Sequence, residues 1–163
     1  ETISLNTETR VLKSLNHPHL LKYYDSLFEE IDGDNFICIV TELCKLGDLD
    51  GYLKNQQKTN RINTVNDKYR IGAWLVQMTR ALRYLHNKNV LHRDIKTKNI
   101  FLRASKIIRP NNHSQELPDL VLGDFGVAKI LNDATCNRMA STFIGTPFYM
   151  SPEQLEQKPY TKS

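Results

Sequence analysis

Three short strings hold most of the side chains in this sequence that could do chemistry. The first, His92-Arg93-Asp94-Ile95-Lys96-Thr97-Lys98-Asn99, sets a carboxylate, an ammonium and an amide close together along the chain. The second, Asp124-Phe125-Gly126, adds another carboxylate, and the third reads Gly145-Thr146-Pro147-Phe148-Tyr149-Met150-Ser151-Pro152-Glu153. A carboxylate stays ionised at neutral pH. Carboxylate and amide oxygens are also the donors that a hard cation such as Mg²⁺ prefers. Groups of these types suit the handling of a polyanion, where catalysis rests on positioning and on neutralising charge more than on covalent work. Each string alone has a plainer meaning. An isolated Asp-Phe-Gly is ordinarily a turn, Asp and Gly favouring the bend while Phe anchors the core.

Taken in this order, the strings resemble those of protein kinases: a catalytic loop with His-Arg-Asp and an Asn five residues after the Asp, then Asp-Phe-Gly, then the end of an activation segment. The resemblance covers nearly the whole chain. It implies an α+β, two-lobed kinase-like fold, incomplete in this sequence, that transfers the γ-phosphate of ATP with Mg²⁺, or alternatively Mn²⁺, as the cation. On that resemblance Asp94 orients the substrate hydroxyl and accepts its proton, and Lys96 reaches the γ-phosphate as a point charge. Asn99 and Asp124 are implied as the metal ligands. His92 is implied to serve packing and backbone hydrogen bonding rather than to act as a base, and Arg93 to offer a bidentate fork to a phosphate on the activation segment.

Further residues take roles only through the resemblance. Glu8 corresponds to the helix glutamate that pairs with the ATP-orienting lysine; by itself it is a solvated helix charge. Ile39-Val40-Thr41-Glu42-Leu43-Cys44 looks like the hinge, with Thr41 as gatekeeper and the backbone of Glu42, Leu43 and Cys44 facing adenine, while Phe101 packs beneath the base. Without the resemblance these are ordinary strand-core residues, which also suits an apolar pocket wall. Lys96 and the Gly145-Thr146-Pro147 string resemble serine/threonine kinases, Thr146 being expected to contact Asp94. Three longer strings, Leu15 to Asp25, His92 to Leu102 and Gly123 to Lys129, are similar to NIMA-related kinases. Within that family Thr142 is the candidate activating phosphorylation site and Ser141 its neighbour; both are otherwise plain loop hydroxyls.

Periodicity supplies the elements that must position these groups. Residues 4–15 carry Leu5, Glu8, Val11, Leu12 and Leu15 at helical spacing, stopped by Asn16-His17-Pro18. Residues 20–30 and 36–43 read as two antiparallel strands around the turn Asp32-Gly33-Asp34-Asn35. Residues 67–86 predict a long helix with Ile71, Trp74, Leu75, Met78, Leu82 and Leu85 on one face, and the polar stretch 55–66 predicts a loop. Short apolar pieces at 90–91, 100–102 and 120–122 predict strands that carry loops. The division expected from the resemblance is a small-lobe part over 1–43, the hinge and first part of the larger lobe over 44–163, and a surface insertion over 103–119.

Composition narrows the classes that remain. The chain has 163 residues, 40% hydrophobic and 25% charged, the balance of a globular domain. Its net charge of +4 is scattered, and no cluster of arginines with aromatic platforms argues for nucleic acid. No apolar run approaches the ~20 residues that span a bilayer. Three cysteines, Cys38, Cys44 and Cys136, form no CxxC pair and cannot close a disulfide framework, so a reducing compartment is expected. The His17-Pro18-His19 pair reads as a loop feature rather than a metal site. Expected partners are ATP and protein substrates bearing serine or threonine, with neither nucleic acid nor membrane. The resemblance implies a cytoplasmic location and association with microtubule or centrosomal structures. No glycine-rich loop or lysine-bearing strand precedes Glu8, so a fragment with little activity of its own is expected. A silent pseudokinase or scaffold is the alternative, against which stand Asp94, Lys96, Asn99 and Asp124 together.

Overall fold

In the computed structural model, residues 12–31, 34–58, 65–105, 118–124, 129–130 and 147–156 are described. Aromatic and β-branched residues along 23–41 form a hairpin in which β1 (Tyr23–Ile31) pairs antiparallel with β2 (Asp34–Thr41). Tyr23 faces Thr41 and Asp25 faces Val40, so Tyr24 is an extra residue that bulges the strand and bends it. The hairpin matches the expected strand pair, with one correction. Asp34 and Asn35, read as turn, belong to β2, while Leu43 lies beyond it.

The polar stretch after residue 48 is a second correction. α1 (Leu49–Lys58) is helical through residues 55–58, where the sequence predicts a loop. Its start is fixed by Asp48, whose Oδ1 accepts the Gly51 N–H at 2.7 Å as an N-cap. Leu49 is buried, Tyr52 packs against the core, and Asp50 and Lys54 form a pair one turn apart at 2.7 Å. The outer turns are polar because they face water, which is why no apolar repeat reveals them.

α2 (Val65–Asn87) is the long helix that periodicity predicts. Trp74, Ala81 and Leu85 are buried, and Met78 and Leu82 pack beside them. Ile71 and Leu75, expected on the same face, are exposed instead. The apolar arc of the helix is broad, and the described chain covers its Trp74–Leu85 side. The helix stops as Asn89 turns left-handed, at φ 59°, and its N–H bonds the His86 carbonyl at 3.0 Å.

Two small sheets follow, each placed on the core by that helix. β3 (Val90–Leu91) is buried and pairs with a strand formed much later, while β4 (Ile100–Arg103) pairs antiparallel with β5 (Asp119–Leu122). β6 (Lys129–Ile130) is the partner of β3. Along β4, Ile100 and Leu102 are buried while Phe101 and Arg103 occupy the other face, the period-two alternation of a strand. Arg103 and Asp119, the bounds of the expected excursion, are the terminal pair of this β-hairpin; residues 106–117 lie outside the described residues. α2 grips its returning end: the Trp74 indole donates to the Pro118 carbonyl at 2.9 Å, and the Gln77 amide bonds both Asp119 and the Leu120 N–H. Near the end of the described chain, Ser151 and Gln154 form a capping box on the short α3 (Pro152–Leu155).

Backbone bonds sew the segments onto β4 and β5. Leu20 bridges Leu122 in parallel, with the Leu21 N–H on the Leu122 carbonyl at 2.8 Å. The 44–48 stretch turns at Gly47, whose φ of 75° suits glycine, and the Gly47 carbonyl accepts the Leu102 N–H at 2.9 Å. Leu20, Leu49, Trp74, Leu85, Leu102 and Leu122 thereby share one core. Among the described residues no helix is long and apolar enough to cross a membrane. Leu85 has no exposed surface. Its truncation to alanine is expected to cost roughly 2–5 kcal/mol, measured by denaturant unfolding of the intact protein, and an unmoved midpoint would contradict this account of the core.

Candidate active site

The loop after β3 has to present polar groups from the rim of an apolar core, and a buried imidazole organises it. His92 is 2% exposed, and its Nε2–H donates to the Gly123 carbonyl at 2.9 Å while its Nδ1 faces the Asp94 N–H at 3.4 Å. One neutral tautomer serves both contacts. Burial pushes the His92 pKa below the ordinary histidine value, against the Gly123 hydrogen bond and the charges of Asp124 and Asp94 that favour the proton. The ring therefore acts as a neutral brace between the two loops.

Around it the polar groups converge. Lys96 Nζ lies 2.6 Å from Asp94 Oδ2, and Asn99 Nδ2 donates to that same oxygen at 3.0 Å and to the Asp94 carbonyl at 2.9 Å. The turn Thr97–Asn99 is a 3-10 helix that brings Asn99 back beneath Asp94, and its amide is buried there. The Gly123 N–H then bonds the Asn99 carbonyl at 2.9 Å, which sets Asp124 next to the Asp94–Asn99 unit by one backbone link. Arg93 at φ 68° and Asp124 at φ 59° both hold left-handed backbone, a conformation costing of order 1–3 kcal/mol that tends to gather at functional sites.

The donor set fits a hard cation. The Asn99 amide spends its nitrogen on Asp94 and so presents an oxygen, and Asp124 adds an exposed carboxylate. Among the described residues no three His, Cys, Asp or Glu side chains cluster to hold a metal by themselves. Two protein oxygens are nonetheless what Mg²⁺ takes when phosphates and water complete its octahedron.

The hinge candidates come together around Arg103 at the end of β4. Glu42 and Lys22 bond reciprocally, the Glu42 N–H to the Lys22 carbonyl and the Lys22 N–H to Glu42 Oε1, each at 2.9 Å. Arg103 reaches the same carboxylate at 3.3 Å. Thr41 ends β2 with its hydroxyl on the Glu42 carbonyl at 3.3 Å, and Leu43 is 79% exposed. Cys44 is half-buried, and burial, followed by the Glu42 charge, pushes its thiol pKa up. Phe101 bridges Asp48 and lies against Gly123, where a Cβ would meet the Phe101 ring at 2.8 Å. Glycine at 123 is thus what lets the ring approach the backbone.

Several site residues named from sequence, Glu8, Ser141, Thr142 and Thr146, lie outside the described residues, as do Phe125 and Gly126. The structure also brings in groups that sequence reasoning passes over. Thr97 Oγ1 donates to Asp50 Oδ1 at 3.3 Å and lies 3.4 Å from the Tyr149 hydroxyl, joining α1, the Thr97–Asn99 turn and residues 147–149. The Lys54 hydrogen bond holds the Asp50 carboxyl below the usual carboxylate range. Asp48 as an N-cap was the available signal for that corner. His17 stacks on Tyr84 and His19 bonds the Leu120 carbonyl at 3.0 Å, so these two rings fasten the loop before β1 to α2 and β5.

A family model described as protein kinase domain matches residues 1–163. The chain is 38% identical over 164 residues to the serine/threonine-protein kinase Nek11 of Homo sapiens, covering 100% of this chain and 22% of that protein. It is 39% identical to Nek4 of Mus musculus over 94% of this chain and 16% of the relative, and 38% identical to mouse Nek1 over 94% and 11%. The chain spans about a fifth or less of the length of these relatives.

The depressed His92 pKa has a pH signature. Below about 6.5 the unfolded ring binds a proton that the folded ring refuses, so stability is full above that pH and declines as pH falls towards the folded pKa. His17, whose pKa is lowered first by burial and then by His19, contributes in the same direction. Thermal unfolding is expected at a lower temperature at about pH 5.5 than at pH 7.5, with a smaller difference in His92→Gln. An equal or larger difference in that variant would remove His92 from the explanation.

Proposed function

Because the chain belongs to the protein kinase domain family, in its NIMA-related serine/threonine branch, we propose that the protein transfers the γ-phosphate of ATP to serine and threonine hydroxyls of protein substrates. The observation that carries this function is the convergence of Lys96 and Asn99 on one oxygen of Asp94. A carboxylate so fixed can orient a hydroxyl and take its proton as the oxygen attacks phosphorus. Lys96, a compact charge on a flexible stem, neutralises negative charge on the γ-phosphate. Asn99 and Asp124 are the residues that would hold Mg²⁺, which when bound neutralises charge on the phosphates. Phe101 and the backbone of Glu42, Leu43 and Cys44 frame the adenine, with Thr41 at the inner end and Glu8 assigned by resemblance alone.

The same proposal takes residues 1–43 as part of the smaller lobe and 44–163 as part of the larger, which the return of residues 44–48 onto β4 supports. It takes the cytoplasm as the site of action. It also takes Thr142, with Ser141 beside it, as an activating phosphorylation site whose two or so negative charges pair with Arg93, while Thr146 contacts Asp94 in the active form. Thr142→Ala is expected to lower the phosphotransfer rate of the intact enzyme, and an unchanged rate would refute that regulatory role.

Asp94→Asn tests the catalytic assignment. It keeps the shape and two hydrogen bonds' worth of packing but loses the base, so kcat on a generic serine/threonine peptide should fall by about 10²–10⁴ with the KM for ATP nearly kept. Equal rates in the two proteins would overturn the enzymatic assignment and favour a silent scaffold.

A further inference from the structure

Arg103 ends β4 two positions after Phe101, on the same face of the strand. Its guanidinium does not turn to solvent. Nη1 reaches both Glu42 carboxylate oxygens, at 3.4 and 3.3 Å, and Nη2 donates to the Pro18 carbonyl. The two side chains are 27% and 15% exposed. The Glu42 carboxylate also accepts the Lys22 N–H at 2.9 Å. One planar group therefore gathers three segments: the loop before β1, the residue that follows β2, and the strand beneath the adenine site. A guanidinium can divide its fork between a carboxylate and a carbonyl, which an ammonium does less well.

The bonds between the 44–48 stretch and β4, from the Leu102 N–H to the Gly47 carbonyl and across the Asp48–Phe101 bridge, lie downstream of Glu42. They hold the far end of the hinge and leave its near end to Glu42. The geometry points to Arg103 as a positioning residue for nucleotide binding, fastening the near end of the hinge to the strand that carries Phe101. This rests on the kinase function proposed above. With the fastening intact, the wall and the floor of the adenine site keep their spacing before ATP arrives. Without it, ATP has to order the hinge as it binds, which lowers affinity. The bonds that Lys96 and Asn99 make to Asp94 lie within one loop, so the chemical step is spared.

The test is steady-state kinetics of the intact enzyme with ATP-Mg²⁺ and a serine/threonine peptide, beside amide hydrogen exchange at Lys22 and Glu42. Arg103→Met should raise the KM for ATP roughly tenfold, the worth of losing charge-assisted hydrogen bonds. Its kcat and peptide KM should stay within about twofold of wild type. Arg103→Lys should recover part of the loss, and exchange at residues 22 and 42 should quicken in Arg103→Met. Where that variant fails to fold, Glu42→Gln should show the same rise in KM. An unchanged KM for ATP, or a fall in kcat with KM unmoved, would overturn the assignment. Unchanged exchange in Arg103→Met beside a raised KM for ATP would overturn the fastening alone, whereas a wild type that transfers no phosphate would overturn the functional premise.

Discussion

The His92 ring is the contact on which the arrangement of the site depends. It is a polar group buried between two loops, with its two nitrogens facing the backbone of Asp94 on one side and of Gly123 on the other. A buried ring with an unmet nitrogen would be costly, so both loops are held where those nitrogens find them. Asn99 repeats the linkage from below, its side chain on Asp94 and its carbonyl on the Gly123 N–H. The backbone just before Asp124 is thus tied to the hydrogen-bonded unit that holds the Asp94 carboxylate. β4 and β5 anchor the segments next to Asn99 and Gly123, and α2 presses the pair of strands onto the core.

The end of β4 carries a second unit of the same kind. There Glu42, Lys22 and Arg103 tie separate segments together as His92 and Asn99 do around Asp94. Along this short strand buried Ile100 and Leu102 seal the core, while Arg103 reaches Glu42 and Phe101 lies against Gly123. Arg103 touches Glu42 and Pro18, whereas Asp94 touches Lys96 and Asn99, so on the proposed function nucleotide binding and phosphoryl chemistry draw on different contacts.

Much of this was legible in the sequence, for identifiable reasons. The catalytic-loop string is local: Asp94, Lys96 and Asn99 lie within one tight turn, so their order along the chain nearly determines their meeting. α2 and the β1–β2 hairpin declare themselves by periodicity over many residues. α1 did not, because its second half, Asn55-Gln56-Gln57-Lys58, faces water and offers no apolar repeat; the Asp48 cap and buried Leu49 sustain it. Ile71 and Leu75 share the apolar arc of α2 with Trp74, and only tertiary packing decides which part of that arc is covered. Arg103 was the least legible. It meets Glu42 and Pro18 across 61 and 85 positions, a separation that no local pattern encodes.

The proposed role of Asp94, Lys96 and Asn99 is to move a phosphoryl group from ATP to a hydroxyl, and one measurement addresses that without intermediaries. In a single turnover, the intact protein is mixed with ATP labelled in its γ-phosphate, Mg²⁺ and a protein substrate, and the fate of the label is followed. The predicted result is label recovered as phosphoserine or phosphothreonine, at a rate that falls away when Mg²⁺ is withheld. Label that stays with the nucleotide, or leaves only as inorganic phosphate, would contradict it.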